Sequence, residues 1–248
     1  MSHSAVEVLW SRNESPTVKT LAFKWDQEVL PGQFVMVWTP GIGEIPMSLS
    51  SLGEIKTITV KDFGPPSAAI ISTNPGNKLY IRGPYGNHFT RTDGKKLVIG
   101  AGSGMASLAP LVDKNTYGII SAREKSEIIL TGNFDQGKVM VTTDDGSMGF
   151  KGNTIEALKV FDAKVDMIYV CGPEKMLFAV YNYLKDRGIR AEFSLERSMK
   201  CGIGICDSCS IDGFQLCRDG PVFSIDQLGS MKEFGVSRLT YSGKRIQM

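Results

Sequence analysis

The chain has 248 residues, of which 42% are hydrophobic, enough to bury the cores of one to three domains. Its 28 basic and 26 acidic residues give a formal net charge of +2, so it lacks the basic excess that binds phosphate backbones, and nucleic acid is not an expected partner. No apolar stretch is long enough to span a bilayer and the first residues do not resemble a signal peptide, so a cytoplasmic location is expected.

The first 93 residues are predicted to form an antiparallel β-barrel. Turn-forming groups such as Pro31-Gly32 separate short runs with β character, at 5–10, 18–25, 33–38, 56–60 and 78–82. Residues 45–50 are placed between strands. Ser67 is predicted to cap a short helix, whose exposed N–H groups would attract an anion such as a pyrophosphate; an ordinary capped helix is the alternative.

Residues 94–195 are predicted to form an α/β domain with a parallel sheet, because strands and helices alternate. The strands are expected at 96–99, 117–122, 127–131, 139–143, 167–171 and 191–195, and the helices at 106–112, 154–161 and 175–187. The first strand runs into a glycine loop and then a helix, a unit that brings phosphates against a helix N-terminus.

Two places in this domain are candidates for binding a nicotinamide nucleotide. The glycine loop supplies Gly100, Gly102 and Gly104, with a plain tight turn as the alternative. Cys171 and Gly172 stand at the carboxyl end of a strand, where ligands of open α/β sheets lie. For Cys171, burial in the core is an equal alternative.

Four of the five cysteines lie within seventeen positions; they are Cys201, Cys206, Cys209 and Cys217. Their C-x4-C-x2-C spacing, followed by one more cysteine, is that of plant-type ferredoxins, in which four thiolates hold a [2Fe-2S] cluster. The glycines at 202 and 204 favour this interpretation, because residues without a Cβ let backbone N–H groups turn toward the sulfurs. A structural zinc site is the main alternative, and a disulfide or unligated role is a third.

With these three segments in order, the chain resembles the ferredoxin-NADP reductase superfamily and, within it, the iron-sulfur electron-transfer subunits of type B dihydroorotate dehydrogenase. The matching stretches keep the family's order along the chain; they are 31–38, 45–48, 83–86, 100–104, 143–147, 171–176, 195–200 and 219–223. The resemblance implies FAD in the barrel, a nicotinamide site on the α/β domain, and a small C-terminal [2Fe-2S] domain at 196–248.

The resemblance also implies which residues contact FAD. The family's flavin motif Arg-Pro-x-Ser falls on Ile45, Pro46, Met47 and Ser48. Its next flavin-contacting strand falls on Thr59, Val60 and Lys61. Its pyrophosphate turn falls on Pro66 and Ser67. Ser48 would hydrogen-bond the isoalloxazine, and Ser67 with the following amides would hold phosphate.

Three positions depart from the family pattern. Ile45 replaces an arginine that neutralises the FAD phosphates, so that charge would come from Lys61 or from backbone amides, or would be missing. Pro65-Pro66 replace a glycine-rich turn and provide no N–H donor. Ser107 replaces the proline that usually follows the glycine loop, on the side of the chain where NAD is expected.

The function implied by the resemblance is an electron relay, with no catalytic residue of its own for oxidising dihydroorotate. An FMN-containing catalytic subunit, in a heterotetramer of two plus two, would pass electrons through [2Fe-2S] and FAD to NAD or another acceptor in pyrimidine (UMP) biosynthesis. The apolar Ile203 and Ile205 on the cysteine loop are candidate partner contacts, with packing around the cluster as an equal alternative.

Two further hypotheses are consistent with the sequence. The same cofactors suit a reductase subunit of another complex, of the ferredoxin-NADP oxidoreductase or sulfhydrogenase type. A zinc-stabilised module without redox activity is the other.

Overall fold

The barrel at the start of the chain is closed by six antiparallel strands in the computed structural model, which describes residues 2–248. The strands are β1 (Ser4–Ser15), β2 (Val18–Lys24), β3 (Phe34–Thr39), β4 (Gly43–Leu52), β5 (Ile55–Lys61) and β6 (Lys78–Tyr85). They pair in the order β1-β2-β5-β4-β3-β6, and β6 returns to β1. Side chains such as Leu21, Val35 and Ile58 are fully buried inside the barrel.

The prediction for residues 45–50 was wrong, because they lie within β4 rather than between strands. Pro46 pairs with Met36 of β3, and Leu49 pairs with Ile58 of β5. Pairing on both sides therefore makes a strand of a segment whose local composition, rich in serine and containing proline, did not indicate one.

The expected capping role of Ser67 was also wrong. Helix α1 (Pro65–Ile71) starts three residues earlier than predicted, with Gly64 in place of Ser67 at the N-cap. Proline suits the first helical positions because the N–H it lacks would have no partner within the helix. Ser67 lies in the first turn, where its hydroxyl accepts from the Phe63 N–H and donates to the Gly64 carbonyl.

The remaining strands are β7 (Lys96–Ala101), β8 (Thr116–Ala122), β9 (Val139–Thr143), β10 (Phe150–Lys151), β11 (Met167–Cys171), β12 (Ala191–Ser194), β13 (Ser210–Ile211), β14 (Phe214–Gln215), β15 (Val222–Ser224), β16 (Ser237–Leu239) and β17 (Arg245–Gln247). Seven of them form one sheet in the order β10-β9-β8-β7-β11-β12-β15. Its strands run parallel except β15, which is antiparallel to β12. The barrel and this sheet confirm the predicted fold class.

The helices that follow α1 are α2 (Gly104–Leu108), α3 (Thr154–Val160), α4 (Glu174–Leu184) and α5 (Ile225–Gly229). The helix expected at 106–112 is shorter, because a 3-10 helix (Ala109–Leu111) containing Pro110 continues from α2. The strand expected at 127–131 was wrong, because 3-10 helices (Lys125–Glu127 and Thr131–Asn133) flank an unpaired segment. Its apolar Ile129 is buried in the core without joining the sheet.

The C-terminal residues are tied to both preceding parts of the chain. Strand β15 extends the central sheet, and the buried Cys209 and Cys217 belong to the same core cluster as Phe34 and Met36 of the barrel. The predicted domain limits, 1–93, 94–195 and 196–248, therefore remain predictions. Strand β15, from the last of these segments, pairs with β12 of the middle one. Within residues 2–248, no helix has the length and apolarity needed to cross a bilayer.

Candidate cofactor sites

The four clustered cysteines lie on a loop segment between β12 and β15 that contains the short hairpin of β13 and β14. Cys209 and Cys217 are buried, Cys201 is partly buried and Cys206 is exposed. Along residues 2–248, no three His, Cys, Asp or Glu side chains are grouped to hold one metal ion. Cys171, the fifth cysteine, is buried elsewhere, in the core that includes β7 and β11.

Backbone N–H groups of the loop point at the sulfurs. Gly204 donates to Cys217 Sγ at 3.1 Å, while Ile203 and Ile205 donate to Cys201 Sγ at 3.5 and 3.4 Å. Positive φ angles of 69° at Gly202 and 78° at Gly204 place the chain in the left-handed region that glycine adopts freely. This geometry is the role predicted for the two glycines.

These contacts separate the acidities of the thiols. Burial acts to raise the pKa of Cys201, but N–H donors from Ile203, Ile205 and Cys206 outweigh it and lower the pKa to about 6. Burial and the neighbouring Cys209 raise the pKa of Cys217 to about 12. A bound metal replaces thiol protons, so the N–H donors already suit sulfurs that carry negative charge.

Arg82 of β6 fixes the start of this loop. Its guanidinium donates to the Cys201 carbonyl at 2.9 Å and to Glu44 Oε1 at 2.7 Å, and the Glu44 hydrogen bond raises the arginine pKa. Glu44 also pairs with His3 at 2.8 Å. The barrel therefore holds the cysteine loop through a hydrogen-bonded ion pair.

A cleft of about 360 Å³ brings together eight of the nine residues predicted to contact FAD: Ile45, Pro46, Met47, Ser48, Thr59, Lys61, Pro66 and Ser67. The exception is Val60, whose side chain is fully buried in the barrel core. Ser107, the residue that departs from the family's proline, lines the same cleft from α2. Met199, two residues before Cys201, also lines it, so the cleft and the cysteine loop are neighbours along the chain.

A second cleft, of about 870 Å³, contains Gly102, Gly104 and Gly172 of the predicted nicotinamide set. Gly100 and Cys171 lie behind its wall, in paired positions of β7 and β11. An ideal Cβ at Gly104 would come within 2.5 Å of the Cys171 carbonyl oxygen, so glycine allows the loop to pack against β11. Burial first, and then Glu196, raise the pKa of Cys171 to about 12, consistent with the burial alternative.

Lys61, which was expected to supply the charge missing at position 45, is already paired. Its ammonium lies 2.8 Å from Glu127 Oε1, and Glu127 also pairs with Arg123. The hydrogen bond from Arg123, with that from Lys61, lowers the pKa of Glu127 to about 2. One carboxylate therefore joins β5 of the barrel to the segment after β8.

Three charged residues that sequence reasoning missed lie between the clefts and the cysteine loop. Glu196 lines both clefts, and its side chain is exposed to their open volume. Arg197 is buried and pairs with Glu174, the first residue of α4, at 2.7 Å from Nη2 to Oε1. Burial, followed by repulsion from Arg238, lowers the pKa of Arg197 to about 10.

In the sequence, the only indication that these residues belong to a site was that they lie next to recognisable motifs. Glu196 and Arg197 precede the cysteine run, and Glu174 follows Gly172-Pro173. Their pairing across 23 residues depends on the parallel neighbours β11 and β12, which local patterns do not report.

Residues 196–229 match the family described as the iron-sulfur cluster binding domain of dihydroorotate dehydrogenase B. A relative from Thermoplasma acidophilum is 57% identical and is aligned over 96% of this chain and 95% of its own length. Another, from Methanothermobacter thermautotrophicus, is 40% identical over 94% of this chain and 93% of its own. Both carry the name probable dihydroorotate dehydrogenase B (NAD(+)), electron transfer subunit.

Solved structures show the same fold. A chain from the NADH-dependent reduced ferredoxin-NADP oxidoreductase structure has a TM-score of 0.79 at 24% identity, covering 90% of this chain and 89% of that one. The FAD/NAD binding domain of nitric oxide dioxygenase from Vibrio cholerae has a TM-score of 0.64 at 18% identity, covering 76% and 95%.

The fold is that of ferredoxin reductase-like proteins, and the names of the relatives add a role in electron transfer. Within that class, the chain belongs to the family of dihydroorotate dehydrogenase B electron transfer subunits. The resemblance drawn from the sequence motifs is thereby confirmed.

Proposed function

We propose that the chain carries electrons from a dihydroorotate-oxidising catalytic subunit to NAD or another acceptor. The observation that supports this most is the adjacency of three features: the cysteine loop, the cleft lined by the FAD candidates, and the glycine-loop cleft that shares Glu196 with it. Bound FAD exchanges electrons in pairs and an iron-sulfur cluster exchanges them singly, so together they connect two-electron and one-electron chemistry.

The cysteine loop suits a [2Fe-2S] cluster. Such a cluster has four thiolate ligands, and the segment from 201 to 217 supplies four cysteines. The N–H donors of Ile203, Gly204 and Ile205 would stabilise negative charge on the sulfurs and so tune the reduction potential.

The smaller cleft suits FAD. Its barrel wall offers the hydroxyl of Ser48, which can hydrogen-bond a polar ring edge, beside the apolar Ile45 and Met47. The Thr59 hydroxyl is instead buried and hydrogen-bonded to Thr20 and Ser50. Because Lys61 is paired with Glu127, backbone amides are left as the principal donors for phosphate. The larger cleft, with Gly102 and Gly104 at a strand-to-helix turn, would take the nicotinamide nucleotide.

The cysteine loop presents the surface that suits a partner. Ile205 is 74% exposed and Cys206 beside it is exposed, whereas Ile203 is partly buried. Exposed apolar surface at a redox centre favours a protein contact, since electron transfer needs a short distance. We assign this face to an FMN-containing catalytic subunit, in an assembly of two copies of each chain.

Substituting each cysteine separately tests the cluster assignment. Serine at 201, 206, 209 or 217 is expected to remove the visible and electron paramagnetic resonance signals of the cluster, with FAD retained. The matched control is Cys171→Ser, which should keep both cofactors because Cys171 lies in a separate core. Loss of iron from Cys171→Ser, or full iron in any of the other four, would refute the ligand set.

A further inference from the structure

The hairpin formed by β16 and β17 lines the larger cleft. Arg238 of β16 and residues 247–248 face the same volume as Gly102, Gly104 and Gly172. Arg238 is paired in register with Ile246 across the hairpin, so its backbone position is set by the strand pairing. The nucleotide cleft is thus bounded on one side by a segment that follows the cysteine loop in sequence.

The hairpin is held in place by several contacts. The N–H of Met248 donates to the Val236 carbonyl at 3.0 Å, and the N–H of Gly235 donates to Glu174 Oε1 at 2.9 Å. Arg245 pairs with Glu233. Because Glu174 begins α4 at the cleft, the hairpin and the nucleotide-cleft wall share a fixed hydrogen bond.

The cations lining the cleft are Lys61, Arg123, Lys175 and Arg238. Lys61 and Arg123 are both paired with Glu127, whereas the exposed Lys175 and Arg238 form no side-chain hydrogen bond or ion pair within residues 2–248. Of these two, Arg238 has the planar guanidinium, lies on a paired strand, and its charge repels that of Arg197. An arginine placed beside another cation is stabilised when an anion binds.

We infer that the β16–β17 hairpin is part of the nucleotide site and that Arg238 binds a phosphate of a pyridine dinucleotide. This inference rests on the proposed nicotinamide function. The planar guanidinium can donate two hydrogen bonds to one phosphate, a geometry that lysine does not reproduce. The phosphate is either the diphosphate bridge common to NAD and NADP or the 2′-phosphate of NADP.

The test is the binding of NADH, NADPH and ADP-ribose to the full chain with its cofactors, measured by calorimetry. Arg238→Gln is expected to weaken binding roughly tenfold, the loss typical of one charge-assisted hydrogen bond. Weaker binding of all three ligands identifies the diphosphate, and weaker binding of NADPH alone identifies the 2′-phosphate. The matched control is Lys244→Gln, an exposed position of the same hairpin outside the cleft, which should bind like the original chain.

The outcomes separate this inference from the proposed function. Nucleotide binding by the original chain that Arg238→Gln leaves unchanged would overturn the role of Arg238 and retain the proposed function. Absence of binding by the original chain would overturn the nicotinamide site itself. Arg238→Lys, which keeps the charge without the guanidinium, should restore part of the lost affinity, and unchanged FAD content in all variants shows that the fold is intact.

Discussion

Glu127 joins two parts of the molecule through one carboxylate. It accepts hydrogen bonds from Lys61, at the end of β5 in the barrel, and from Arg123, just after β8 of the sheet. Both Lys61 and Glu127 side chains are largely buried, at 18% and 14% exposure, whereas Arg123 is exposed at 79%. The contact between barrel and sheet therefore depends more on the Lys61 pair than on the Arg123 pair.

The Glu127 carboxylate should give the stability of the chain a specific pH dependence. The hydrogen bond from Arg123, with that from Lys61, lowers its pKa from 4.5 to about 2, so its stabilisation is present above pH 4.5 and is lost as pH falls toward 2. Glu127→Gln should lower the stability at pH 7 by about 1 kcal/mol and flatten the decline between pH 4.5 and 2. Urea unfolding midpoints at several pH values measure both effects.

Glu54→Gln is the matched control, because Glu54 pairs with Lys24 in an exposed position where its side chain is 82% accessible. Its unfolding midpoint at pH 7 should stay close to that of the original chain. Equal losses of stability in the two variants would contradict a special role for the Glu127 pair.

Elements whose structure is determined by residues close in sequence could be predicted, whereas those determined by distant residues could not. The cysteine spacing and the glycine turns act within a few residues, and both describe the loop that forms. Strand β4 instead depends on pairing with β3 and β5, and the Lys61 to Glu127 contact joins positions 66 apart. Patterns of local composition contain no information about such neighbours, so sequence reasoning missed them.

The turn from β7 to α2 gives a test at this scale. At Gly104 an added Cβ would lie 2.5 Å from the Cys171 carbonyl oxygen, whereas at Gly102 it meets nothing within 4 Å. Gly104→Ala should therefore force α2 away from β11, costing about 1–3 kcal/mol of stability and weakening nucleotide binding.

Gly102→Ala is the matched control. It adds only the cost of a left-handed residue at φ 52°, about 1 kcal/mol, and leaves the packing against β11 intact. Because Gly102 itself lines the nucleotide cleft, the two variants are compared by their urea unfolding midpoints. If Gly102→Ala lowered the stability as much as Gly104→Ala, close packing at Gly104 would not be the reason for that glycine.

Across the whole molecule, the proposed cofactor sites meet where three parts of the chain come together. The barrel contributes Phe34 and Met36 to the core around Cys209 and Cys217, and β15 adds the C-terminal segment to the central sheet. Arg82 of the barrel donates to the Cys201 carbonyl, and Arg197, four residues before Cys201, donates to Glu174. Such an arrangement favours electron exchange within one chain, because the two clefts share Glu196 and because Met199 of the smaller cleft lies two residues before Cys201.

Chemical analysis of the full chain, purified without oxygen, tests this account most directly. Iron, acid-labile sulfide and flavin are measured per chain, with zinc measured in the same sample. The account predicts two irons, two labile sulfides and one FAD, since four thiolates hold one [2Fe-2S] cluster beside the flavin cleft. Zinc in place of iron, or a chain with iron and sulfide absent, would contradict it.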